Sequence, residues 1–350
     1  MNFFKSLTAR ACLPAAAAVA ALAVAVPSYA ADVTLKMHTF LPPVANPPKT
    51  FLNPWAKKVE EASKGKLKVQ PFWAMQLGGK PPTLVDQVKD GVVDIIWTLP
   101  GYTPGRFPKT EVFELPFIHK DAVSTTLAMQ DFYDKHLKDE YKDFHMLQLH
   151  AHAGFLFMTK KPITKIEDVA SMKLRAPSRI GVWMLNEFGA TSLGMPLPEI
   201  PAALSKGVID GMALPYEIAP AVKAQDLVTF FTDLAPPQSR LATAAFTFMM
   251  NPNSYAKLPS DLKKVIDDLS GRNIAKWAGE NWEEIEKPGL EAIKSKAKNK
   301  FSTLSEAESA KFRATKEKVY ERWFAEMKSV GVDGKALLAD AEAMIAKYAK

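Results

Sequence analysis

Beyond residue 30 the apolar positions alternate between two periods, and this alternation predicts the order of elements. Residues 33–38, 67–72 and 92–97 read as strands, the last with a buried character. Between them, Phe51, Leu52, Trp55, Val59 and Ala62 fall at helical spacing, and Gly65 stops that run. Leu84, Val85 and Val88 predict a short helix closed by Gly91. A βαβαβ rhythm of this kind predicts a parallel sheet with helices on both faces.

A second unit of similar build begins near His152. Residues 155–159 alternate like a strand, 166–169 suit a short helix, and 172–175 read as a strand ending at Ala176-Pro177. Ile180, Trp183, Met184 and Phe188 then make the apolar stripe of a helix that Gly189 terminates, with Ser178 as its cap. Residues 200–204 are expected to be helical and 208–214 to form another strand. The C-terminal third is helical in pattern. Ser260 is expected to cap a long helix through Leu262, Val265, Ile266, Leu269, Ile274 and Trp277, continuing past Trp282 toward Pro288, where the ring must bend or break it. Two further helices are expected over 305–330 and 335–348. The fold class is therefore α/β: two lobes, a long lobe-spanning helix and a helical C-terminus. No repeat or low-complexity tether follows residue 30.

The first thirty residues have a different character. Lys5 and Arg10 precede an uncharged Ala- and Val-rich stretch over residues 11–26, and Ser28-Tyr29-Ala30 places small residues where a signal peptidase reads them. Cleavage is expected before Ala31. The apolar run is shorter than the ~20 residues that span a bilayer, and Pro27 ends it, which argues against a retained anchor. Cys12, the single cysteine, lies at the start of this run and not at the cleavage point. Loss of the leader would leave no cysteine, which excludes disulfides, thiolate metal sites and cysteine nucleophiles.

About 320 residues then remain, enough for two lobes with separate cores. The whole chain has a formal net charge of +7, of which Lys5 and Arg10 supply two. The excess is spread along the chain and balanced by Glu in the C-terminal helices, so it lacks the concentrated stripe that nucleic acids require. A weak positive field suits capture of small anions.

Arg175 is the leading candidate for chemistry. It ends a predicted parallel strand, and ligands of open α/β sheets collect beyond the carboxyl ends of strands. Its guanidinium offers two parallel donors to a carboxylate. The competing reading is an ion pair with one of the chain's own acids. Arg179 would sit in the first turn of the next helix, where a cation faces the positive end of the helix dipole and needs a carboxylate from the protein or a ligand nearby. His150-Ala151-His152 puts two imidazoles on one face of a strand, but no third metal ligand is near in sequence, and no metal is expected. Phe40, Phe72, Trp73, Trp97 and Phe155 lie at or near strand ends, where Trp73 and Trp97 could form an aromatic wall.

Signatures of common enzymes are missing. Gly78-Gly79-Lys80 runs into Pro81-Pro82 and not into a Ser or Thr, so it is no phosphate loop. No Gly-x-Ser-x-Gly elbow occurs. No cofactor is expected.

Taken together, several segments resemble the DctP-type solute-binding proteins of tripartite ATP-independent periplasmic (TRAP) transporters. Gln76-Leu77-Gly78-Gly79, Asp86-Gln87-Val88 and Gly91-Val92-Val93-Asp94 are similar to the first-lobe signature, continued by Gly101-Tyr102, Arg106-Phe107-Pro108 and Leu115-Pro116-Phe117. Lys161-Pro162-Ile163, Glu167-Asp168 and the run from Met172 to Pro177 resemble the segment that ends in the family's carboxylate-binding arginine. Ala203-Leu204, the run from Gly207 to Gly211, and Pro215 follow in the family's order. The similarity covers nearly the whole chain after the leader.

The resemblance implies two α/β lobes hinged by two strands and a long helix, closing on a ligand, with Arg175 as the residue that grips a carboxylate. The expected division is 31–152 plus about 241–280 for the first lobe, and 153–240 plus about 281–350 for the second. It also implies a periplasmic binder, acting as a monomer and delivering its ligand to TRAP membrane subunits. Two departures stand out: Phe155, twenty residues before Arg175, where sialic-acid-type members carry a second arginine, and Leu214, four residues after Asp210, where an asparagine is usual. Both replace polar grips by apolar surface, and a polyhydroxylated guest would leave hydroxyls unpaired there, at about 1–3 kcal/mol each.

The expected ligand is a monocarboxylate with an aromatic or apolar body, with short or branched 2-oxo or 2-hydroxy acids as the alternative. Its expected shell is Arg175, Arg179, Phe155, Leu214, Trp73, Trp97, His152, Phe40 and Tyr216. Two rival roles remain open at this point: a periplasmic isomerase or lyase using a His150 or His152 base, and a protein presenting its solute to a receptor.

Overall fold

The computed structural model describes residues 33–349. The expected leader over residues 1–30 lies outside them. In chain order the first lobe begins with β1 (Val33–Thr39), α1 (Asn53–Ala62), β2 (Leu67–Phe72), α2 (Leu84–Lys89) and β3 (Ile95–Thr98), followed by α3 (Ala122–Phe132) and β4 (His145–Ala151). The second lobe is built from β5 (Leu156–Thr159), β6 (Lys173–Ala176), α4 (Arg179–Glu187), β7 (Thr191–Gly194), α5 (Ile200–Ser205), β8 (Gly211–Leu214), α6 (Ala224–Leu227) and β9 (Phe230–Asp233). The chain then returns to the first sheet as β10 (Ala245–Met250) and continues through α7 (Pro252–Ala256), α8 (Ser260–Asp268), α9 (Arg272–Glu284) and α10 (Glu286–Lys294). The last elements are β11 (Lys300–Thr303), α11 (Glu306–Ala314), α12 (Lys316–Ser329) and α13 (Gly334–Tyr348).

Two sheets result, with strand orders β2-β1-β3-β10-β4 and β11-β9-β5-β8-β6-β7. The expected parallel pairing holds for β1 with β2 and β3, and for β6 with β7 and β8. It fails for β10, which runs antiparallel to β3 and β4, and for β5, antiparallel to β8 and β9. These are strands flanking the two crossings between lobes, where the chain enters each sheet from the opposite end to its neighbours. All residues of β3 and β10 are buried, as befits inner strands covered on both faces.

The crossings, over residues 152–155 and 234–244, hydrogen-bond to each other. Phe155 N–H donates to the Ala242 carbonyl at 2.7 Å, and Leu241 N–H to the Phe155 carbonyl at 2.9 Å. A third link is helical, since α9 packs on α3 and β4 while α10 reaches α6 in the other lobe.

The predicted continuous helix from Ser260 is broken. Pro259, not Ser260, occupies the cap position of α8, and Gly271 at φ +54° separates α8 from α9. A glycine adopts that conformation without steric cost, and its N–H donates to the Leu147 carbonyl at 2.7 Å, tying the break to β4. The periodicity runs on across Gly271, so the pattern alone conceals the turn. The expected bend near Pro288 falls at Ile285, three residues upstream, which leaves the proline in the first turn of α10 where its missing N–H costs nothing. The C-terminal pattern is likewise two helices, α11 and α12, the first capped by Ser305 as its sequence suggests. Finally, α13 lies on α3 of the first lobe, whereas the sequence division placed the whole C-terminus in the second.

Candidate functional site

The strand ends of both lobes converge on a common cavity. Phe40 follows β1, Trp97 and Leu99 lie on and after β3, Arg175 and Pro177 on and after β6, and Leu214, Pro215 and Glu217 at and beyond the end of β8. His152 and Phe155 come from one crossing, Ala244 and Phe246 from the return of the other. This is the crevice beyond the carboxyl ends of parallel strands, as open α/β folds dictate.

Aromatic rings form its first-lobe wall. Trp97 stacks on Phe246 with centroids 4.7 Å apart, Phe40 lies 5.8 Å from Trp97 and 5.3 Å edge-on to Tyr102, and His152 meets Phe155 edge-on at 4.5 Å. The polar handle of Trp97 is used internally: Nε1–H donates to His150 Nε2 at 2.9 Å. The indole therefore offers the cavity an apolar surface.

Arg175 is 1% exposed, and its Nε–H donates to the Met195 carbonyl at 2.9 Å. Among the described residues it forms no ion pair, so the reading of an internal partner from the chain's own acids is not the arrangement found. Burial pulls its pKa below the ordinary arginine value, opposed by the neighbouring Tyr102 and more weakly by Glu199. Tyr102 accepts the Leu197 N–H at 3.0 Å, which fixes its hydroxyl beside the guanidinium. A buried cation without a counter-ion is costly, and an anion with matching geometry removes that cost.

Burial disfavours the charged form of the other titratable groups in the lining. His152 Nδ1 faces the Gly154 N–H at 2.8 Å and Nε2 the Ala244 N–H at 3.1 Å. One of these backbone N–H groups already meets the ring N–H of the neutral imidazole, and protonation would set a donor against both. Burial, reinforced by His119, Arg240, His150 and Arg175, pulls the His152 pKa well below the usual histidine value. No ring lone pair is left for a metal or for a substrate proton. His150 is buried behind Trp97, with its pKa pulled down by burial to about 3. Glu217 is 3% exposed, and burial, reinforced by Glu286, holds its carboxyl well above the usual carboxylate range. Arg175 is the one Arg or Lys side chain lining this apolar space among the described residues.

Of the expected shell, the structure brings together Phe40, Trp97, His152, Phe155, Arg175 and Leu214. Three residues lie elsewhere. Trp73 follows β2, the outer strand of its sheet, so its strand end is displaced from the crevice. Arg179 grips Glu111 with both ends of its fork, Nε to Oε1 at 2.6 Å and Nη2 to Oε2 at 2.7 Å, and also reaches Glu326. The conflict with the dipole of α4 is thus relieved by a protein carboxylate, the first of the two options its position allowed. Tyr216 donates to Asp233 at 3.2 Å beneath Arg240, because the chain leaves strand geometry after Leu214 and turns Pro215 and Glu217 inward instead.

The sequence reading missed Tyr102, Phe246, Leu197 and Glu217. Tyr102 belongs to a quoted signature pair, which was an available signal. Glu217 follows an ordinary Pro-Tyr dipeptide with no pattern to distinguish it.

Two α/β lobes, two strand crossings and a crevice with a buried arginine define the class of bilobal solute-binding proteins. The chain belongs to the DctP family of bacterial extracellular solute-binding proteins (family 7), whose model matches residues 40–327, and within it to the TRAP type. A TRAP solute-binding protein from Rhodoferax ferrireducens, solved with copurified benzoate, is 43% identical over 90% of this chain and 98% of its own, with a TM-score of 0.88. One from a marine metagenome, described as specific for aromatic acid ligands and solved with 3-hydroxybenzoate, is 42% identical over 92% of this chain and 100% of its own, at a TM-score of 0.89. A Bordetella bronchiseptica protein with bound (R)- and (S)-mandelate is 28% identical over 90% of this chain and 99% of its own, at 0.81. Among the described residues, no helix is long and apolar enough to cross a membrane.

Proposed function

We propose that this chain is a periplasmic binder that captures a small aromatic monocarboxylate and hands it, chemically unaltered, to TRAP membrane subunits. Arg175 takes the carboxylate, and Phe40, Trp97, Phe155, Leu214 and Phe246 enclose the ring. The observation that carries this reading is the buried Arg175 guanidinium, free of any carboxylate of the described chain, in a cavity whose walls are aromatic and aliphatic. One cation matches one anion. A dicarboxylate would bring a second charge into apolar surroundings without a partner. A sugar acid would leave its hydroxyls against Phe155 and Leu214. The three relatives above add support, since each was solved with an aromatic acid. A binding role without chemistry is supported by His150 and His152, neither of which offers a base to the cavity.

A thermal-shift panel tests this. Benzoate, mandelate, pyruvate, lactate, succinate, galacturonate and the uncharged benzamide are compared at equal concentration. A ligand at a hundred times its dissociation constant adds about 2.7 kcal/mol of stability. The aromatic acids should stabilise, and benzamide and the non-aromatic acids should not. Equal shifts with benzamide and benzoate would remove the role of Arg175, and larger shifts with galacturonate, succinate or pyruvate would remove the aromatic guest.

A further inference from the structure

Glu217 has a constrained backbone and an unpartnered head. Its N–H donates to Glu286 Oε1 at 2.9 Å, and its carbonyl accepts from Asn46 Nδ2 of the other lobe at 2.8 Å. On the helix side α10 approaches so closely at Gly289 that a Cβ there would fall 2.8 Å from the Glu217 Cα. Three contacts, two from α10 and one from Asn46, thus fix where the side chain starts. Yet Glu217 lines the cavity, and its Oε2 is fully buried without a hydrogen-bond partner. Buried polar atoms left unpaired cost free energy, so an orphan of this kind calls for an explanation. Packing supplies none, since an apolar side chain would fill the same place without the penalty.

We infer that Glu217 is a second recognition point in the ligand cavity, whose carboxyl group pairs with a hydroxyl group on the aromatic ring of the guest. A protonated carboxyl has one donor and one acceptor, and a phenolic hydroxyl has the same pair, so one ring hydroxyl can satisfy both. An ionised substituent at that end would meet a group that itself resists charge, and a methyl group would leave the carboxyl orphaned. The preferred guest is then a hydroxylated aromatic monocarboxylate, held by its anionic end at Arg175 and by its neutral hydroxyl at Glu217. This inference rests on the reading of Arg175 given above, because it assumes that the carboxylate end is already placed.

Calorimetric titration of the full-length mature protein with benzoate and with 3- and 4-hydroxy- and 3- and 4-methylbenzoate tests it. The wild type should bind one hydroxybenzoate at least tenfold more tightly than benzoate and than the methyl analogue of the same substitution pattern. Glu217→Leu should bring its affinities for the hydroxybenzoate and for benzoate within about threefold of each other, and Glu217→Gln, which keeps a donor and an acceptor, should retain most of the preference. A wild type that binds methyl- and hydroxybenzoates equally overturns the inference without any variant. So does a Glu217→Leu protein that keeps the preference, or that binds neither acid. Failure of every acid to bind the wild type would instead overturn the reading of Arg175 beneath it.

Discussion

At the scale of single residues, the interior holds several acids whose charge is disfavoured. Glu114 is the clearest case that borders both lobes. Its Oε1 accepts the Ala245 N–H at 3.1 Å, while Oε2 is buried without a partner. Burial pushes its pKa up to about 7 against the contact with Ser178, and the nearby Glu111 adds to the rise. A folded-state value above the unfolded one means that the native state holds the proton more tightly. The resulting stability is complete below about pH 4.5 and is lost as pH rises toward 7, on the order of 3 kcal/mol at most. His119 and His150, depressed by burial to about 4 and about 3, act in the opposite direction. A comparison with Glu114→Gln cancels the histidine contribution, because both proteins share it. Urea midpoints measured from pH 4.5 to 8 should show the wild type losing stability relative to the variant up to about pH 7 and no further. Parallel profiles would place the titration of Glu114 elsewhere.

At the scale of elements, the lobes meet where the turn after β3 touches the start of α4. Gly101 lies in that turn, and a Cβ placed on it would come 2.6 Å from the Ser178 Cβ and 3.4 Å from its Cα. Neither atom belongs to a flexible side-chain end, so the helix itself would have to move. Beside this contact, Arg179 of α4 is clamped to Glu111 of the first lobe and Glu326 of α12. Gly101→Ala should therefore oppose closure by about 1–3 kcal/mol, weakening benzoate binding roughly 5- to 150-fold. The ligand-free unfolding midpoint should move little, since each lobe keeps its own core. Unchanged affinity would mean that this contact opens at no cost to binding.

How far these elements were legible follows from where their determinants lie. Strands and helices with a period of their own, such as β1, α1, α4 and β8, were readable because the signal is local, and Ser178 and Ser305 announced their caps. The antiparallel entry of β10 depends on a chain crossing between lobes, which no local pattern encodes. The break at Gly271 was hidden because the apolar stripe is in phase on either side of it. In the cavity, Phe155 and Leu214 were legible as departures from the family pattern. Arg179 was misplaced, because the acid it meets, Glu111, is distant in sequence. Glu217 was invisible, because its meaning comes from being left without a partner in space.

At the scale of the whole molecule, two sheets joined by paired crossings and a broken helix suit a hinge, and under the proposed function a guest favours whichever arrangement it binds better. The buried guanidinium gives that preference its chemistry. Without an anion it carries an unrelieved desolvation cost, and with one the aromatic walls can exclude water around a neutral pair. Everything proposed for this chain, including the second grip at Glu217, depends on Arg175 meeting the carboxylate. The most direct test is calorimetric titration of benzoate into the wild type and into Arg175→Ala, with circular dichroism to confirm that the variant is folded. Truncation should cost about 2–5 kcal/mol of binding free energy, or roughly thirty- to several-thousand-fold in affinity. Affinity within about threefold of the wild type would contradict the account.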